Sequence, residues 1–600
     1  MEILMGNQAI ALGAIRAGVG VVTGYPGTPS TEILESVAEH NPGHIYVEWS
    51  VNEKSALEVA AGAAYTGQRT MVTMKQVGLN VASDPLMSLA YIGVKGGMVV
   101  VVADDPGPIS SQTEQDTRHF AAFAKLPIFD PTSPEEAYEM IGDAFEYSEK
   151  YGTPVLFRPT TRVCHGRASI ETDASIAIVK PEGFIKDPKW TIFPRLSYAN
   201  HLKLEARTPV LAEEFSTYRF NEVEGSGRRG IATGGVSYAY TKEALARLDA
   251  DSEADCRLLK IATPHPFPEP LALEFLQSVD EVLVVEELDP VIEKELIQLC
   301  GKYHLPVQIY GKLTSHIQQA GENTVESVAK ALAAYLDKPA PQVTAFDLPP
   351  LPIRPPVLCA GCPHRASFYA VKQAMKGKKA VFSGDIGCYT LGNAKPLEMV
   401  DTCLCMGAGI TIAQGLQRAE PDAIHFAFVG DSTFFHTGIP GVVNAVYNET
   451  RIVVVVLDNA TTAMTGFQPH PGTGSTMMGN ISAKISIEAV LRAIGVKQIE
   501  TIDPFDQPGA IAAASRAAAF DGVSAIIYKA PCIAVAPPGP MHVVDPDLCT
   551  NCKRCIREIG CPAIVKDGDK VRIDPALCYG CTLCVDICPF GAIHAVGGAK

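Results

Sequence analysis

The sequence predicts a multidomain α/β protein built on doubly wound parallel sheets, followed by a small α+β domain. Three observations predict it. The chain has 600 residues, too many for one hydrophobic core, and at ~100–200 residues per domain that length calls for several. Apolar strand-like runs alternate with helix-like segments in three separate stretches, as βα units of a parallel sheet do. Eight of the 17 cysteines lie from Cys549 onward, in a short segment that repeats itself.

In the first stretch, Val19–Thr23 reads as a strand. It runs into the turn Tyr25-Pro26-Gly27-Thr28-Pro29-Ser30 and a helix over Thr31–Glu39. An alanine-rich helix covers Ala56–Tyr65, and Gly97–Ala103 is a buried strand ending in Asp104-Asp105-Pro106-Gly107. Residues 166–228 are polar and irregular and read as a connection. The second stretch has strand Gly230–Thr233, a Gly234-Gly235 turn, a helix and strand Glu281–Glu286. The proline-dense segment 339–356 reads as a linker. The third stretch, 357–535, has its clearest strands at Ile424–Val429 and Arg451–Leu457. In the last piece, 540–600, Val543-Val544-Asp545-Pro546-Asp547-Leu548-Cys549 echoes Val571-Arg572-Ile573-Asp574-Pro575-Ala576-Leu577-Cys578.

Composition narrows the function. Hydrophobic residues make up 47% and charged residues 19%, so the chain packs rather than staying disordered. The net charge of −16 argues against nonspecific nucleic-acid binding and against anionic membrane surfaces. Apolar runs such as Gly97–Ala103 are too short to span a bilayer. Met1–Ile10 lacks the basic region and apolar core of a signal peptide. Clustered cysteines without an export signal suit metal ligation in a reducing cytoplasm better than disulfides.

Cys549, Cys552 and Cys555 are each two residues apart, and Cys561-Pro562 follows five residues later. Cys578, Cys581 and Cys584 repeat the spacing, with Cys588-Pro589 three residues on. Three thiolates on one tight loop take three irons of a cubane, and the fourth cysteine of each run ligates the other cluster. Cluster one is then Cys549, Cys552, Cys555 and Cys588, and cluster two is Cys578, Cys581, Cys584 and Cys561. Zinc knuckles keep a longer gap between their CxxC pairs. The C-terminal piece is therefore expected to be a two-[4Fe–4S] ferredoxin-like α+β domain. The five-residue spacer before Cys561 requires a different local turn. Cys359, Cys362, Cys388 and Cys532 are candidates for a third [4Fe–4S] cluster, against ordinary buried cysteines. Cys403 and Cys405 stay unassigned.

Strand Ile424–Val429 ends in Gly430-Asp431-Ser432, and strand Arg451–Leu457 ends in Asp458-Asn459-Ala460-Thr461. Ligands bind at the carboxyl ends of parallel strands. A span of 28 residues from Asp431 to Asn459 leaves room for one crossover helix, so the two strands can lie side by side. An Asp oxygen, an amide oxygen and a backbone carbonyl, with diphosphate oxygens, make an octahedral Mg²⁺ site. Gly430 is expected to let the diphosphate approach the backbone. This is a thiamine diphosphate signature, with Ser432 in place of the commoner second glycine. An Asp capping a helix is the plainer alternative. Thiamine chemistry beside iron–sulfur clusters points to oxidative decarboxylation of a 2-oxo acid. The cofactor is the electron sink, and the clusters take electrons one at a time. The reaction needs a carboxylate beside the aminopyrimidine, for which Glu53 and Glu48 compete. It also needs a cation for the substrate carboxylate, which Arg118 in Gln115-Asp116-Thr117-Arg118 can supply. Thr28 and Ser30, at a helix N-terminus, also favour an anion.

The whole chain resembles the alpha, or large, subunits of the indolepyruvate:ferredoxin oxidoreductases, a branch of the 2-oxoacid:ferredoxin oxidoreductases. Tyr25-Pro26-Gly27-Thr28-Pro29-Ser30 is similar to the superfamily's substrate-side motif. Asn52-Glu53-Lys54-Ser55-Ala56 is similar to its catalytic-glutamate segment, which favours Glu53 over Glu48. Asp116-Thr117-Arg118 is similar to its carboxylate-binding arginine region. Gly430-Asp431 and 458–466 resemble the Mg–thiamine diphosphate segments, with Asn459 and the Thr461 carbonyl as ligands. Cys359, Cys362, Cys388 and Cys532 resemble the cysteines of a cluster close to the cofactor in pyruvate-using relatives. The long spacer before Cys561 is itself a trait of this branch.

The resemblance implies a pyrimidine-binding domain over 1–165, a connecting segment over 166–228 and a transketolase C-terminal-like α/β domain over 229–338. It further implies the linker 339–356, a diphosphate-binding domain over 357–535 and the ferredoxin domain over 540–600. It implies a smaller beta subunit, ferredoxin as electron acceptor and coenzyme A as acyl acceptor. The substrates it implies are aryl 2-oxo acids from transaminated aromatic amino acids, in the cytoplasm. The alternatives are a non-oxidative thiamine decarboxylase with a structural ferredoxin module, a pyruvate-type subunit, and an electron carrier with an inactive thiamine fold.

Overall fold

The computed structural model describes residues 1–173, 175–248, 255–340 and 349–596. The chain divides into two units, Met1–Leu348 and Pro349–Lys600.

The first unit holds two sheets of the expected kind. One has six parallel strands in the order Tyr46–Trp49, Val21–Gly24, Thr70–Lys75, Met98–Ala103, Val155–Phe157 and Ile128–Phe129. Met98–Ala103 is buried throughout, as befits a central strand covered by helices on both faces. Helix Glu53–Ala64 forms where Asn52 caps it by accepting from the Ser55 N–H. Its buried residues Glu53, Ala56, Leu57, Ala60, Ala61 and Ala64 fall at helical spacing on one face. The second sheet places Gln308–Tyr310, Glu281–Val285, Arg229–Gly234 and Arg257–Ile261 in parallel, with Glu222–Gly225 antiparallel on one edge.

The segment 166–228 is not the irregular connection that its polarity suggests. Strand Arg167–Ile170 pairs with Glu2–Met5, and a 22-residue helix covers Pro194–Phe215. That helix buries only Asn200, Leu204, Leu211 and Phe215, a stripe too sparse to read as a 3.6-residue period. Phe215 packs edge-on against Phe129. Of the proline-dense segment 339–356, residues 341–348 lie outside the described residues.

The second unit carries one five-stranded parallel sheet in the order Ala380–Ser383, Ile424–Gly430, Val453–Asp458, Ser524–Lys529 and Gln498–Ile502. Its central strands bury both faces. Phe426, Phe428, Val453, Val455 and Leu457 belong to one core, while Ala427, Val429, Val454 and Val456 belong to the other. This two-residue alternation is what a strand between two helical layers requires. Each buried Val or Phe contributes roughly 1.5–3 kcal/mol of transfer free energy. The sheet is therefore a stiff floor for whatever projects from its carboxyl edge.

The C-terminal piece has two small antiparallel pairs, His542–Val544 with Ile593–Ala595 and Ile564–Asp567 with Lys570–Ile573. Its core mixes Ile559, Ile573, Leu583, Ile587 and Ile593 with cysteine side chains. Among the described residues no helix is long and apolar enough to cross a membrane.

Candidate functional site

Strands Ile424–Gly430 and Val453–Asp458 are parallel neighbours, with Gly430 opposite Leu457. Their register brings the ends together. Asp431 is buried, and its carboxylate is held by backbone donors. The Ser432 N–H gives to Oδ1 at 2.8 Å, and the Asn459 and Ala460 N–H groups give to Oδ2 at 3.1 and 2.8 Å. One terminal atom of the Asn459 amide lies 2.9 Å from the Thr461 carbonyl oxygen and 3.2 Å from each Asp431 carboxylate oxygen. With nitrogen there, the amide donates to all of them. With oxygen there, the group is a cluster of oxygens that only a cation can hold together. Octahedral Mg²⁺ with bonds of 2.0–2.1 Å sets neighbouring ligand oxygens about 2.9 Å apart. The donor set therefore fits Mg²⁺.

Gly430 also has a packing role. A Cβ there would sit 2.5 Å from the Tyr389 ring, so the glycine makes room for that tyrosine. The Tyr389 hydroxyl donates to the Ile386 carbonyl at 2.8 Å and lies 3.0 Å from Thr433 Oγ1.

His470 was missed by sequence reasoning. Its side chain is 5% exposed, and Nε2 lies 3.1 Å from Asp431 Oδ2. Nδ1 accepts from the Gly472 N–H at 3.1 Å, which leaves the ring proton on Nε2. The signal was present: a histidine between two prolines, in Gln468-Pro469-His470-Pro471-Gly472, on the loop that follows Thr461.

In the first unit Glu53 is 5% exposed and sits in the first turn of its helix. Its carboxylate crosses Gly78 so closely that a Cβ there would lie 2.6 Å from Oε1. Lys75 ends strand Thr70–Lys75, and its stem packs under Gly27 of the turn over residues 25–30. Burial lowers the Lys75 pKa, while the charges of Asp105 and Glu53 act to raise it. Glu48, the competitor, accepts from the Tyr46 hydroxyl and Ser50 Oγ, both at 2.6 Å, beside an exposed Tyr46. Thr28 is half-buried, in a turn closed by Ser30 Oγ donating to the Gly27 carbonyl at 2.9 Å.

Arg118 sits differently from expectation. It is 2% exposed and pairs with Asp116 at 2.6 Å and Glu286 at 2.7 Å. Nη2 also donates to the Glu287 and Asp289 carbonyls, each at 2.9 Å. Its guanidinium fastens the first sheet's helix Thr117–Ala124 to the end of strand Glu281–Val285, and a substrate carboxylate would have to displace two buried ion pairs.

The C-terminal cysteines sort into two sets. One cavity is lined by Cys549, Cys552, Cys555 and Cys588. Burial raises the Cys581 and Cys584 thiols, and Cys561 and Cys578 lie close enough to raise them further. The two loops also share a backbone shape. Asn551 and Lys553 have φ of 54° and 57°, and their counterparts Gly580 and Thr582 have 76° and 67°. Left-handed Lys and β-branched Thr are strained, and such strain clusters where a loop wraps a ligand. The described arrangement suits two cubanes.

Cys359, Cys362, Cys388 and Cys532 also come together. Burial pushes the Cys362 thiol up to about 12 and Cys388 up to about 11. Cys359 lies within electrostatic reach of both, and of Cys532. Cys403 and Cys405 are exposed and stand outside this set.

Three family models match the chain. "Pyruvate flavodoxin/ferredoxin oxidoreductase, thiamine diP-bdg" covers residues 12–195. "Thiamine pyrophosphate enzyme, C-terminal TPP binding domain" covers 385–528, and "4Fe-4S dicluster domain" covers 541–589. Indolepyruvate oxidoreductase subunit IorA of Methanothermobacter thermautotrophicus is 43% identical over 99% of this chain and 97% of its own. IorA of Pyrococcus horikoshii is 41% identical over the same shares. The chain belongs to the IorA family. A solved 2-oxoglutarate:ferredoxin oxidoreductase from Magnetococcus marinus is 19% identical, with a TM-score of 0.45 over 56% of this chain and 65% of that one.

As an IorA-family member, within the 2-oxoacid:ferredoxin oxidoreductases, the chain is an oxidoreductase. It carries out thiamine diphosphate-dependent oxidative decarboxylation of 2-oxo acids, with ferredoxin and [4Fe–4S] clusters. The IorA relatives are named as subunits, which implies a partner subunit.

Proposed function

We propose that the chain is the subunit that holds both the thiamine site and the clusters, and that its substrates are aryl 2-oxo acids such as indolepyruvate. The reaction consumes one 2-oxo acid, one coenzyme A and two oxidised ferredoxins. It yields an aryl-acetyl-CoA, CO₂, one proton and two reduced ferredoxins. The name of the relatives supports the aryl preference. A smaller beta subunit completes the enzyme, in the cytoplasm, where this chain's 17 cysteines stay reduced.

One observation carries the reading. The Asp431–Asn459–Thr461 oxygen set is joined to a cysteine set through the backbone, because the Cys532 N–H donates to the Asn459 carbonyl at 2.9 Å. Asp431, the Asn459 amide and the Thr461 carbonyl hold Mg²⁺, with Gly430 and Ser432 framing the diphosphate. When bound, thiamine diphosphate supplies the electron sink for loss of CO₂. Glu53 holds the proton at the aminopyrimidine nitrogen, and the packing against Gly78 keeps its carboxylate in one place. Thr28 lines the substrate side. Arg118 is assigned to holding the first unit together. Cys359, Cys362, Cys388 and Cys532 would hold a third cluster. Cys561, Cys578, Cys581 and Cys584, and Cys549, Cys552, Cys555 and Cys588, would hold two more, and the clusters would supply one-electron transfer towards ferredoxin. The pyrimidine-binding part lies within 1–165, the transketolase-like part within 229–338, the diphosphate-binding part within 357–535 and the ferredoxin part within 540–600.

The test is anaerobic reduction of a viologen dye by the enzyme with its partner subunit. Indolepyruvate should reduce the dye only with both thiamine diphosphate and coenzyme A. Reduction with pyruvate alone would overturn the aryl assignment. CO₂ release without dye reduction would overturn the oxidative one.

A further inference from the structure

Arg365 is a buried cation that the reaction above does not use. It is 4% exposed and sits in the first turn of helix Pro363–Ala374, which has no acidic residue in that turn. The N-terminus of a helix is its positive end, so a buried guanidinium there is opposed by the helix itself. Among the described residues no carboxylate forms an ion pair with it. Isolated buried charge is costly and needs a counter-charge.

Its hydrogen bonds show what surrounds it. Nη2 donates to the carbonyls of Leu358 and Cys359, on the loop that leads into the Cys359–Cys362 pair. Nη1 donates to the carbonyls of Ile559 and Gly560, at 2.5 and 3.0 Å, immediately before Cys561. Helix Arg554–Ile559 and the left-handed Gly560 make up the long spacer before Cys561, and Arg365 collects their free carbonyls. Nε is buried with no hydrogen-bond partner. Cys561, Cys362, Cys581 and Cys359 all lie within electrostatic reach of Arg365.

We propose that Arg365 is the internal counter-cation between two clusters, binding the Cys359/Cys362 loop to the Cys561 turn and stabilising the reduced state of the cluster held by Cys561, Cys578, Cys581 and Cys584. This rests on the cluster reading given above. A [4Fe–4S] centre gains one negative charge on reduction, and its potential follows nearby charge and hydrogen bonds to sulfur. A fixed cation at this point makes that cluster the better acceptor for electrons arriving from the cofactor side. The electrons come from the 2-oxo acid and end on ferredoxin, so no other reactant is needed.

The test is a potentiometric titration followed by electron paramagnetic resonance, on anaerobic enzyme with its partner subunit. Arg365→Gln, Arg365→Met and Arg365→Lys are compared with wild type, and Cys552→Ser and Cys581→Ser assign the signals. Gln and Met should shift the Cys561-containing cluster to more negative potential. The ratio of its reduced to oxidised form at a fixed potential should fall roughly tenfold or more. The cluster of Cys549, Cys552, Cys555 and Cys588 should not move. Lys keeps the charge and should stay near wild type, even where the lost hydrogen bonds lower iron content in the other two. Unmoved potentials in iron-loaded Gln and Met variants would overturn the inference. So would equal shifts in Lys and Met. A wild type with no iron–sulfur signal would instead overturn the cluster reading itself, a different result.

Discussion

The Cys532 N–H donates to the Asn459 carbonyl at 2.9 Å, so a residue of the proposed Mg²⁺ cradle and a residue of the cysteine set are directly hydrogen-bonded. Asn459 and Cys532 follow the adjacent parallel strands Val453–Asp458 and Ser524–Lys529. A second backbone bond, from the Ala530 N–H to the Asp458 carbonyl at 3.1 Å, extends that pairing past the sheet edge. Asn459 and Cys532 thereby project from the same sheet edge, which is where the proposed cofactor site and the proposed third cluster would meet.

Asp431 tests the cradle. Asp431→Ala should abolish retention of thiamine diphosphate and reduce turnover by at least ~100-fold, since electrostatic stabilisation by a preorganised site is lost. The cluster absorbance should stay intact. A variant that binds the cofactor like wild type would refute the Mg²⁺ assignment.

Glu53 separates activation from binding. Glu53→Gln should lower kcat by roughly 10²–10⁴, the usual range for a general acid–base group, while cofactor binding changes little. Gly78→Ala should lower kcat in the same direction, because its Cβ would displace the Glu53 carboxylate. Steady-state kinetics with cofactor titration checks both.

The legible and illegible parts divide along one physical line. Asp431 and Asn459 were legible because parallel neighbours align their carboxyl ends, whatever the side chains do. The doubled cysteine loops were legible because ligand spacing is local. The contact between Gly430 and Tyr389 was not, because Tyr389 reaches the glycine from 41 positions earlier through packing alone. The buried ion pairs of Arg118 were not legible, because its partner Glu286 is 168 residues away and nothing in Gln115–Arg118 encodes that contact. Helix Pro194–Phe215 escaped because four buried residues in 22 leave no clear period. The four scattered cysteines 359, 362, 388 and 532 were picked out by spacing and family resemblance together.

Arg118 should behave as a structural residue. Arg118→Met leaves Asp116 and Glu286 buried without their partner, which costs roughly 3–5 kcal/mol. Thermal stability of the first unit should fall while KM for the 2-oxo acid in surviving enzyme stays within a factor of two. A KM raised a hundredfold in well-folded protein would restore Arg118 to the substrate.

Iron stoichiometry tests the third cluster. Wild type should carry about twelve irons per chain, four for each cubane. Cys362→Ser and Cys532→Ser should each bring that to about eight and keep the ferredoxin-domain signals. Eight irons in wild type would leave only the two C-terminal clusters.

Asp385 gives a pH signature. Burial pushes its carboxyl up to about 7, against the pull of the Ile386 and Gly407 N–H groups. The folded state then keeps a proton that the unfolded chain releases near pH 4. Its contribution to stability is full below pH 4, falls as pH rises to about 7, and is level above. By linkage the fall is on the order of 4 kcal/mol at most. Asp385→Asn should flatten it, so the variant should gain on wild type in denaturant unfolding at pH 8 relative to pH 5.

The most direct test is anaerobic single turnover watched by the clusters' own absorbance. Enzyme with its partner subunit receives an aryl 2-oxo acid and coenzyme A without any external acceptor. Wild-type clusters should bleach on mixing. Asp431→Ala clusters should not, yet should bleach fully with dithionite. Equal bleaching of both proteins by substrate would show that electrons reach the clusters without the Asp431 site, and would contradict the account.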